Sequence, residues 1–192
     1  MEQIRSFIAI ELPGDLKFAI SRFQERLRSG SRAPVKWVNP ENIHLTLKFL
    51  GNIDTAAVDD IKKALREAVQ GIPAISLGAE NLGTFPNNTR VQVVWVGLTG
   101  ELDRLQKLQQ CIDKALSPLG FPAEKRAFSP HLTIARIRDR ASASDRQEIG
   151  RLAEKTNFES NLDFSAKSVN LMKSQLTREG PIYSILASFN LG

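Results

Sequence analysis

Apolar positions along this chain follow two spacings, one typical of strands and one typical of helices. The run IRSFIAIEL, closed by Pro13 and Gly14, predicts a buried strand followed by a turn. Apolar residues then recur every three or four positions until Gly30, which predicts an amphipathic helix with Asp15 as its cap. The apolar face of that helix consists of Leu16, Ile20, Phe23 and Leu27.

The remaining elements repeat this order. Extended segments at VKWV and IHLTLKFLG precede a second helix, which begins near Thr55 and ends at Gly71. A hairpin and a third helix come next, and a second extended segment with a fourth helix and two closing strands follows. These later elements lie in ISLGAENLGTF, RVQVVWVGL, ELDRLQKLQQCIDKALSPL, HLTIARI, RDRASASDRQEIGRLAEK, VNLMKSQ and YSILASFNL.

The order of elements predicts an α+β fold in which two similar halves share one bilobal domain over residues 1–192. Several connections between neighbouring strands are short, which favours antiparallel or mixed sheets with helices outside them. A doubly wound parallel sheet is the weaker alternative. No Pro/Gly/Ser-rich linker separates the halves, so we expect them to form a cleft together.

Composition narrows the class of protein. The chain has 192 residues, of which 42% are hydrophobic, which is enough for a substantial core. No apolar run reaches the length of a membrane span, and we expect the protein to act in the cytoplasm. The single cysteine, Cys111, excludes an internal disulfide and is interpreted as a packing residue. A net charge of +5 with scattered basic residues indicates a local anion pocket and favours an enzyme over a coating protein.

The two histidines carry the chemistry. The whole chain has only two, and each opens the same tetrad, as His44-Leu45-Thr46-Leu47 and His131-Leu132-Thr133-Ile134. At ordinary residue frequencies a histidine is followed by Leu-Thr-aliphatic in roughly one case in several hundred, so a double match by chance is very improbable. Strand alternation directs each His and Thr to one face and the aliphatic residues to the core.

Two imidazoles can divide the work of proton transfer, because a pKa near 6.5 allows either protonation state at neutral pH. In phosphodiester hydrolysis one neutral ring accepts a proton from water while the other, protonated, donates to the leaving oxygen. The threonine hydroxyls can hydrogen-bond the non-bridging oxygens. We predict no metal and no other cofactor, because the sequence has no HExxH motif, cysteine cluster, GxxxxGK[ST] or GxGxxG motif.

With these motifs the sequence resembles the two-histidine (2H) phosphoesterase superfamily, and within it the LigT-like RNA 2′,3′-cyclic phosphodiesterases. The resemblance spans nearly the whole chain through RSFIAIELP, WVNPENIHLTLKFLG, GTFPNNTRVQVVWVGL and FSPHLTIARI. It implies that the 3′ ribose oxygen leaves and that the product keeps a 2′-phosphate. By the same resemblance His44 is the proton donor, His131 is the proton acceptor, and Thr46 and Thr133 are the family's threonines.

Several further residues are predicted to contact substrate. Arg136 matches a basic position of the family, although its parity is opposite to that of His131 and reaching the cleft would require a bulge, a twist or a strand end. Lys48 shares the parity of His44 and is a phosphate candidate, with a solvated side chain as the alternative. Arg126 is a basic candidate, as is Arg90. For Phe49, Phe85 and Phe128, base stacking competes with core packing.

The predicted partner is RNA with 2′,3′-cyclic phosphate ends, such as tRNA fragments, or a small cyclic nucleotide, bound by a monomer without membrane contact. Two alternatives stay open at this point. The histidines cannot distinguish hydrolysis from its microscopic reverse, the joining of RNA ends through a 2′,5′ linkage. A module that binds RNA ends without turnover is an alternative from a different class.

Overall fold

The computed structural model describes residues 2–178 and 180–192, which contain nine strands and four α-helices. The strands are β1 (Gln3–Glu11), β2 (Val35–Trp37), β3 (His44–Asp54), β4 (Ile75–Phe85), β5 (Val93–Gly100), β6 (His131–Ile137), β7 (Glu159–Ala166), β8 (Ser168–Leu176) and β9 (Pro181–Asn190). The helices are α1 (Gly14–Ser29), α2 (Val58–Val69), α3 (Leu102–Leu116) and α4 (Ala143–Lys155).

The strands form two sheets, and every strand pairing in them is antiparallel. The first sheet has the order β3-β1-β8-β9, and the second has the order β2-β6-β5-β4-β7. Each sheet therefore takes strands from both halves of the sequence. The predicted α+β fold is confirmed, and the exchange of strands ties the two tetrad-bearing strands into one structure.

A continuous cluster of buried side chains connects both sheets with the helices. The predicted apolar face of α1 belongs to it, since Leu16, Ile20, Phe23 and Leu27 are all buried. Burial of one such side chain contributes about 1.5–3 kcal/mol relative to an exposed one. This core fixes the backs of the strands whose opposite faces form the cleft.

The fold differs from the sequence analysis in one missed strand and one wrong interpretation. Strand β7 was not predicted, because only Phe164 and Ala166 of its residues are buried and its apolar alternation is consequently weak. Cys111 is exposed and does not pack, because the buried stripe of α3 passes through its neighbour Ile112. Across residues 2–178 and 180–192, none of the helices has both the length and the apolar character that crossing a membrane requires.

Candidate active site

The two tetrads open strands β3 and β6, which lie in different sheets, and both face one cavity of about 800 Å³. His44, Thr46, His131 and Thr133 all line this cavity. The alternate residues of the tetrads, Leu45, Leu47, Leu132 and Ile134, are buried in the core. The structure thus brings together the two imidazoles and two hydroxyls that the repeated pattern predicts.

A β-bulge interrupts β3 at the last residue of its tetrad. Against β1, Thr46 pairs with Ala9 and Lys48 pairs with Ile8, so Leu47 is the extra residue. A bulge places two consecutive side chains on the same face of a strand. Leu47 and Lys48 are accordingly both buried. Lys48 and the next two side chains lie on the faces opposite to those that simple alternation along the strand predicts.

Strand β6 has the same irregularity at the same position of its tetrad. The register shift against β5 lies between Thr133 and Ala135, so the extra residue is Ile134. Arg136 therefore returns to the face of His131 and lines the cavity. The parity argument required a bulge, a twist or a strand end for Arg136 to reach the cleft, and the structure has a bulge.

The carbonyl of the bulged Ile134 is held by a buried glutamine that the sequence did not indicate. Gln24 of α1 donates its side-chain NH₂ to the Ile134 carbonyl and to the Val38 carbonyl, both at 2.8 Å. The Val38 amide also donates to the Ile134 carbonyl, at 3.0 Å. The carbonyl of the bulged residue thus accepts two hydrogen bonds, one from a side chain and one from the backbone.

The bulge also overturns the predicted orientation of Lys48. Its side chain shares the core face, and its Nζ donates to Asp113 Oδ1 at 2.5 Å and to the Pro122 carbonyl at 2.8 Å. Asp113 in turn accepts a hydrogen bond from Gln109 at 2.8 Å. Lys48 is among the residues that line the cavity, but it is neither solvated nor free of protein partners, and it ties β3 to α3 and to the segment before β6.

Each catalytic candidate ring is oriented by a carbonyl two residues before it. His44 Nδ1 lies 2.8 Å from the Asn42 carbonyl oxygen, and His131 Nδ1 lies 2.7 Å from the Ser129 carbonyl oxygen. A carbonyl can only accept, so these contacts assign the proton to Nδ1 in both rings. Each Nε2 is thereby the nitrogen that accepts or donates a proton in the cleft.

Aromatic side chains from neighbouring strands pack against both rings. Phe7 stacks on His44 at 4.7 Å between centroids, and Tyr183 meets the same ring edge-to-face at 5.3 Å. On the other side, Phe85 meets His131 edge-to-face at 5.0 Å, and Trp95 lies 6.3 Å from that ring. Of these four aromatic residues only Phe85 was singled out from the sequence. The others depend on which strands pair, although Tyr183 is the only tyrosine of the chain.

Burial is the largest influence on the pKa of His44 and lowers it below its usual value of 6.5. The hydrogen bond to the Asn42 carbonyl opposes this effect, and the positive charge of Lys17 adds to it. The neutral form of His44 is therefore favoured in the free protein.

Positive charge from both sheets reaches the hydroxyl of Tyr183. Burial raises the pKa of this phenol, while the guanidinium groups of Arg136 and Arg5 lower it. Arg136 belongs to β6 and Tyr183 belongs to β9, so this pair spans the cleft.

The remaining predicted residues occupy different places. Phe49 lines the cavity and is 62% exposed, so the competing interpretation as a core residue is wrong. Arg126 and Phe128 line it from the segment before β6, with Arg126 exposed and Phe128 half-buried against the core. Arg90 is exposed and lies outside the cavity lining. Within the described ranges, no three His, Cys, Asp or Glu residues are grouped as a metal would require.

Two antiparallel sheets that each present a His-x-Thr strand to a shared cleft define a phosphoesterase of the two-histidine type. The pattern of the LigT like Phosphoesterase family matches residues 10–95 and matches again at residues 96–183, so each match contains one tetrad. The chain belongs to this family, which confirms the resemblance seen in its sequence.

Relatives agree with this assignment, and solved structures agree with the fold. The chain is 32% identical to an RNA 2′,3′-cyclic phosphodiesterase of Methanothermobacter thermautotrophicus, over 98% of this chain and 100% of that protein. It is 34% identical to one of Methanocaldococcus jannaschii, over 95% and 98%. Its fold matches a Thermus thermophilus protein with a TM-score of 0.80 at 23% identity, covering 98% of both chains. The fold also matches E. coli LigT with a TM-score of 0.78 at 22% identity, over 100% and 99%.

Proposed function

We propose that this protein is an RNA 2′,3′-cyclic phosphodiesterase that opens the cyclic end to a 2′-phosphomonoester without a metal ion. The observation that carries this proposal is the pair of His-x-Thr strands facing one cavity from two sheets. The names of the relatives from two archaea, which align over almost the whole chain, support the same reaction.

The two rings complete the proton transfers of the reaction between them. His131 Nε2 takes a proton from water as the water oxygen bonds to phosphorus. His44 Nε2, in its protonated form, gives a proton to the 3′ oxygen as the bond between phosphorus and that oxygen breaks. One proton is gained and one is lost at the protein, so a proton exchange between the rings and solvent restores the starting state.

The cleft also provides groups for the charge on the non-bridging oxygens. Thr46 and Thr133 lie on the same strand faces as the histidines, where their hydroxyls can donate to those oxygens. Arg136 adds a guanidinium, which matches phosphate geometry with paired donors. Lys48 and Arg126 are further cationic candidates that line the cavity, and exposed Phe49 offers a face on which a base can stack.

The lowered pKa of His44 requires that this ring gain its proton as the substrate binds. An anionic phosphate beside the ring favours the charged form and raises the pKa again. Binding of the cyclic phosphate therefore prepares the proton donor.

The biological setting is part of the proposal. One chain contributes both histidines, so a monomer that acts as a single domain over residues 1–192 suffices. RNA ends such as tRNA fragments are the proposed substrates, with small cyclic nucleotides as simpler ones. The exposed free thiol of Cys111 is compatible with the reducing cytoplasm.

The test is to incubate the purified protein, in chelator, with an RNA oligonucleotide that ends in a 2′,3′-cyclic phosphate and to determine the position of the product phosphate. We expect a 2′-phosphate. A 3′-phosphate would reverse the proposed polarity, and an absence of product would reject hydrolysis in favour of end joining or end binding.

We expect the ring protons of His44 to titrate with a pKa below 6.5 in the free protein and with a higher pKa when inorganic phosphate is bound. NMR measures both values, and the two histidines are assigned with the His44→Asn and His131→Asn variants. As a proton donor, His44 produces the descending limb of kcat/KM against pH, and this limb moves to higher pH in the profile of kcat. A free-protein pKa above 6.5 would contradict the predicted effect of burial.

We expect Thr46→Val and Thr133→Val each to lower kcat by roughly 10²- to 10³-fold, because each removes one hydrogen-bond donor to developing charge while keeping the side-chain shape. Thr46→Ser and Thr133→Ser are the matched controls and should retain most of the activity. Steady-state kinetics on the cyclic-ended RNA measure the effect. Unchanged kcat in both valine variants would exclude the threonines from transition-state stabilisation.

A further inference from the structure

A row of basic side chains leads out of the active-site cavity along β2 and β6. Lys36 and Arg136 line the cavity and also line a second groove beside it. Arg138 and Arg140 continue that groove beyond the end of β6. We call Lys36, Arg136, Arg138 and Arg140 the basic strip, and all four are exposed.

The pairing of β2 with β6 places like charges opposite each other. Lys36 is the cross-strand partner of Arg136. The next residue, Ile137, is buried in the core, so the side chains of Lys36 and Arg136 lie together on the opposite face of the sheet. Like charges directly opposite on a sheet are destabilising. An anionic ligand removes this repulsion when it binds.

Carboxylates of the protein do little to neutralise this charge. Within residues 2–178 and 180–192, the ion pairs formed involve Lys17, Lys48, Lys62 and Arg104, and none involves the basic strip. Asp139 is the single acidic residue that lines the groove. The groove therefore carries a net positive charge that the fold itself does not use.

The chemistry of a cyclic end fixes what can occupy a groove that begins at the active site. The 2′ and 3′ oxygens of the terminal nucleotide are both bonded to the cyclic phosphate, so the rest of the RNA continues from its 5′ oxygen. Arg136 is the penultimate residue of β6 and Arg138 follows directly after the strand, so the basic side chains continue outward from the cavity. Positively charged grooves of this kind follow the backbone of single strands without reading the bases.

We propose that Lys36, Arg138 and Arg140 of the basic strip bind the phosphodiester backbone of the nucleotides immediately 5′ of the cyclic end, while Arg136 contacts the cyclic phosphate itself. This inference rests on the proposed function and narrows its substrate class. The preferred substrate is an RNA oligonucleotide, whereas a free cyclic mononucleotide binds only in the active-site cavity.

The test compares two substrates with one double variant. Arg138→Gln/Arg140→Gln removes the two positive charges of the basic strip that lie outside the active-site cavity, and it leaves every residue of that cavity unchanged. We expect kcat/KM at low salt to fall roughly tenfold on an RNA octamer ending in 2′,3′-cyclic phosphate and to stay unchanged on 2′,3′-cyclic AMP. The slope of log kcat/KM against log salt for the octamer should become shallower by about 1.4, from about 0.7 for each phosphate contact.

A matched control separates the position of the charges from their number. Lys63→Gln/Arg66→Gln removes two positive charges from exposed positions of α2 and should leave both substrates unaffected. Unchanged turnover of the octamer by the double variant of the basic strip would overturn the inference, and so would an equal loss on both substrates.

Failure of the proposed function has a different signature. If the wild-type protein turns over neither substrate, hydrolysis is rejected and the basic strip is tested by binding. Fluorescence anisotropy of a labelled octamer with a 2′-phosphate end should then show weaker binding to Arg138→Gln/Arg140→Gln than to the control variant. Equal binding by the two variants would overturn the basic strip as well.

Discussion

Replacing either histidine with asparagine lowers kcat on a cyclic-ended RNA by about 10²- to 10⁴-fold, the usual contribution of a general acid or base. In the wild-type protein, Nδ1 of His44 donates a hydrogen bond to the Asn42 carbonyl and Nδ1 of His131 donates one to the Ser129 carbonyl. The side-chain NH₂ of asparagine can donate to the same carbonyls in the two variants. Each substitution removes the Nε2 that faces the cleft. The loss therefore reports on proton transfer and not on the local fold.

The double variant extends this test. Residues that act as one unit show non-additive losses, so His44→Asn/His131→Asn should be only slightly worse than the more damaging single variant. Steady-state kinetics on the same RNA give the three values, and circular dichroism checks that each variant is folded. Activity within tenfold of wild type in either single variant would remove that ring from the mechanism.

Lys48→Ala should lower the free energy of unfolding by about 3–5 kcal/mol, because it leaves the carboxylate of Asp113 buried without its cation. The side chains of this pair are only 2% and 13% exposed, and the Nζ to Oδ1 distance is 2.5 Å. Urea denaturation measures the change. The control is Lys62→Ala, whose pair with Asp59 is largely exposed and should matter by less than about 1 kcal/mol.

A second variant distinguishes a structural role of Lys48 from contact with substrate. Lys48→Met/Asp113→Leu replaces both charges with apolar groups of similar size and should recover most of the lost stability. If its kcat/KM on the cyclic-ended RNA is close to wild type, Lys48 does not bind phosphate. A stable double variant with strongly reduced kcat/KM would support the predicted phosphate contact, and a Lys48→Ala effect under about 1 kcal/mol would refute the structural role.

Local patterns predicted most of the fold. Helix α1 and the strand that begins at Ile75 could be predicted because the spacing of their apolar residues follows the geometry of a single helix or strand. Strand β7 was not predicted because it buries few side chains. The assembly of each sheet from both halves of the sequence could not be predicted either, because it depends on contacts between residues far apart in the chain.

In the candidate site, too, local patterns predicted some residues and strand pairing determined the others. His44, Thr46, His131 and Thr133 were predicted because two identical tetrads are visible in the sequence and strand alternation places His and Thr on one face. The parity argument then failed at Lys48. A bulge adds one residue to a strand, and nothing in the tetrad itself shows where the partner strand will omit one.

The reactive residues of this protein could be predicted from its sequence alone, because reactive groups and their alternation along a strand are local properties. The surroundings of these residues depend on the tertiary structure. Strand pairing brought Phe7 and Tyr183 onto His44, and two bulges moved Phe49 and Arg136 into the cleft while Lys48 was buried against Asp113. The physical reason is that register and packing are settled between distant segments, where the free energy of burial and of backbone hydrogen bonds is summed over the whole fold.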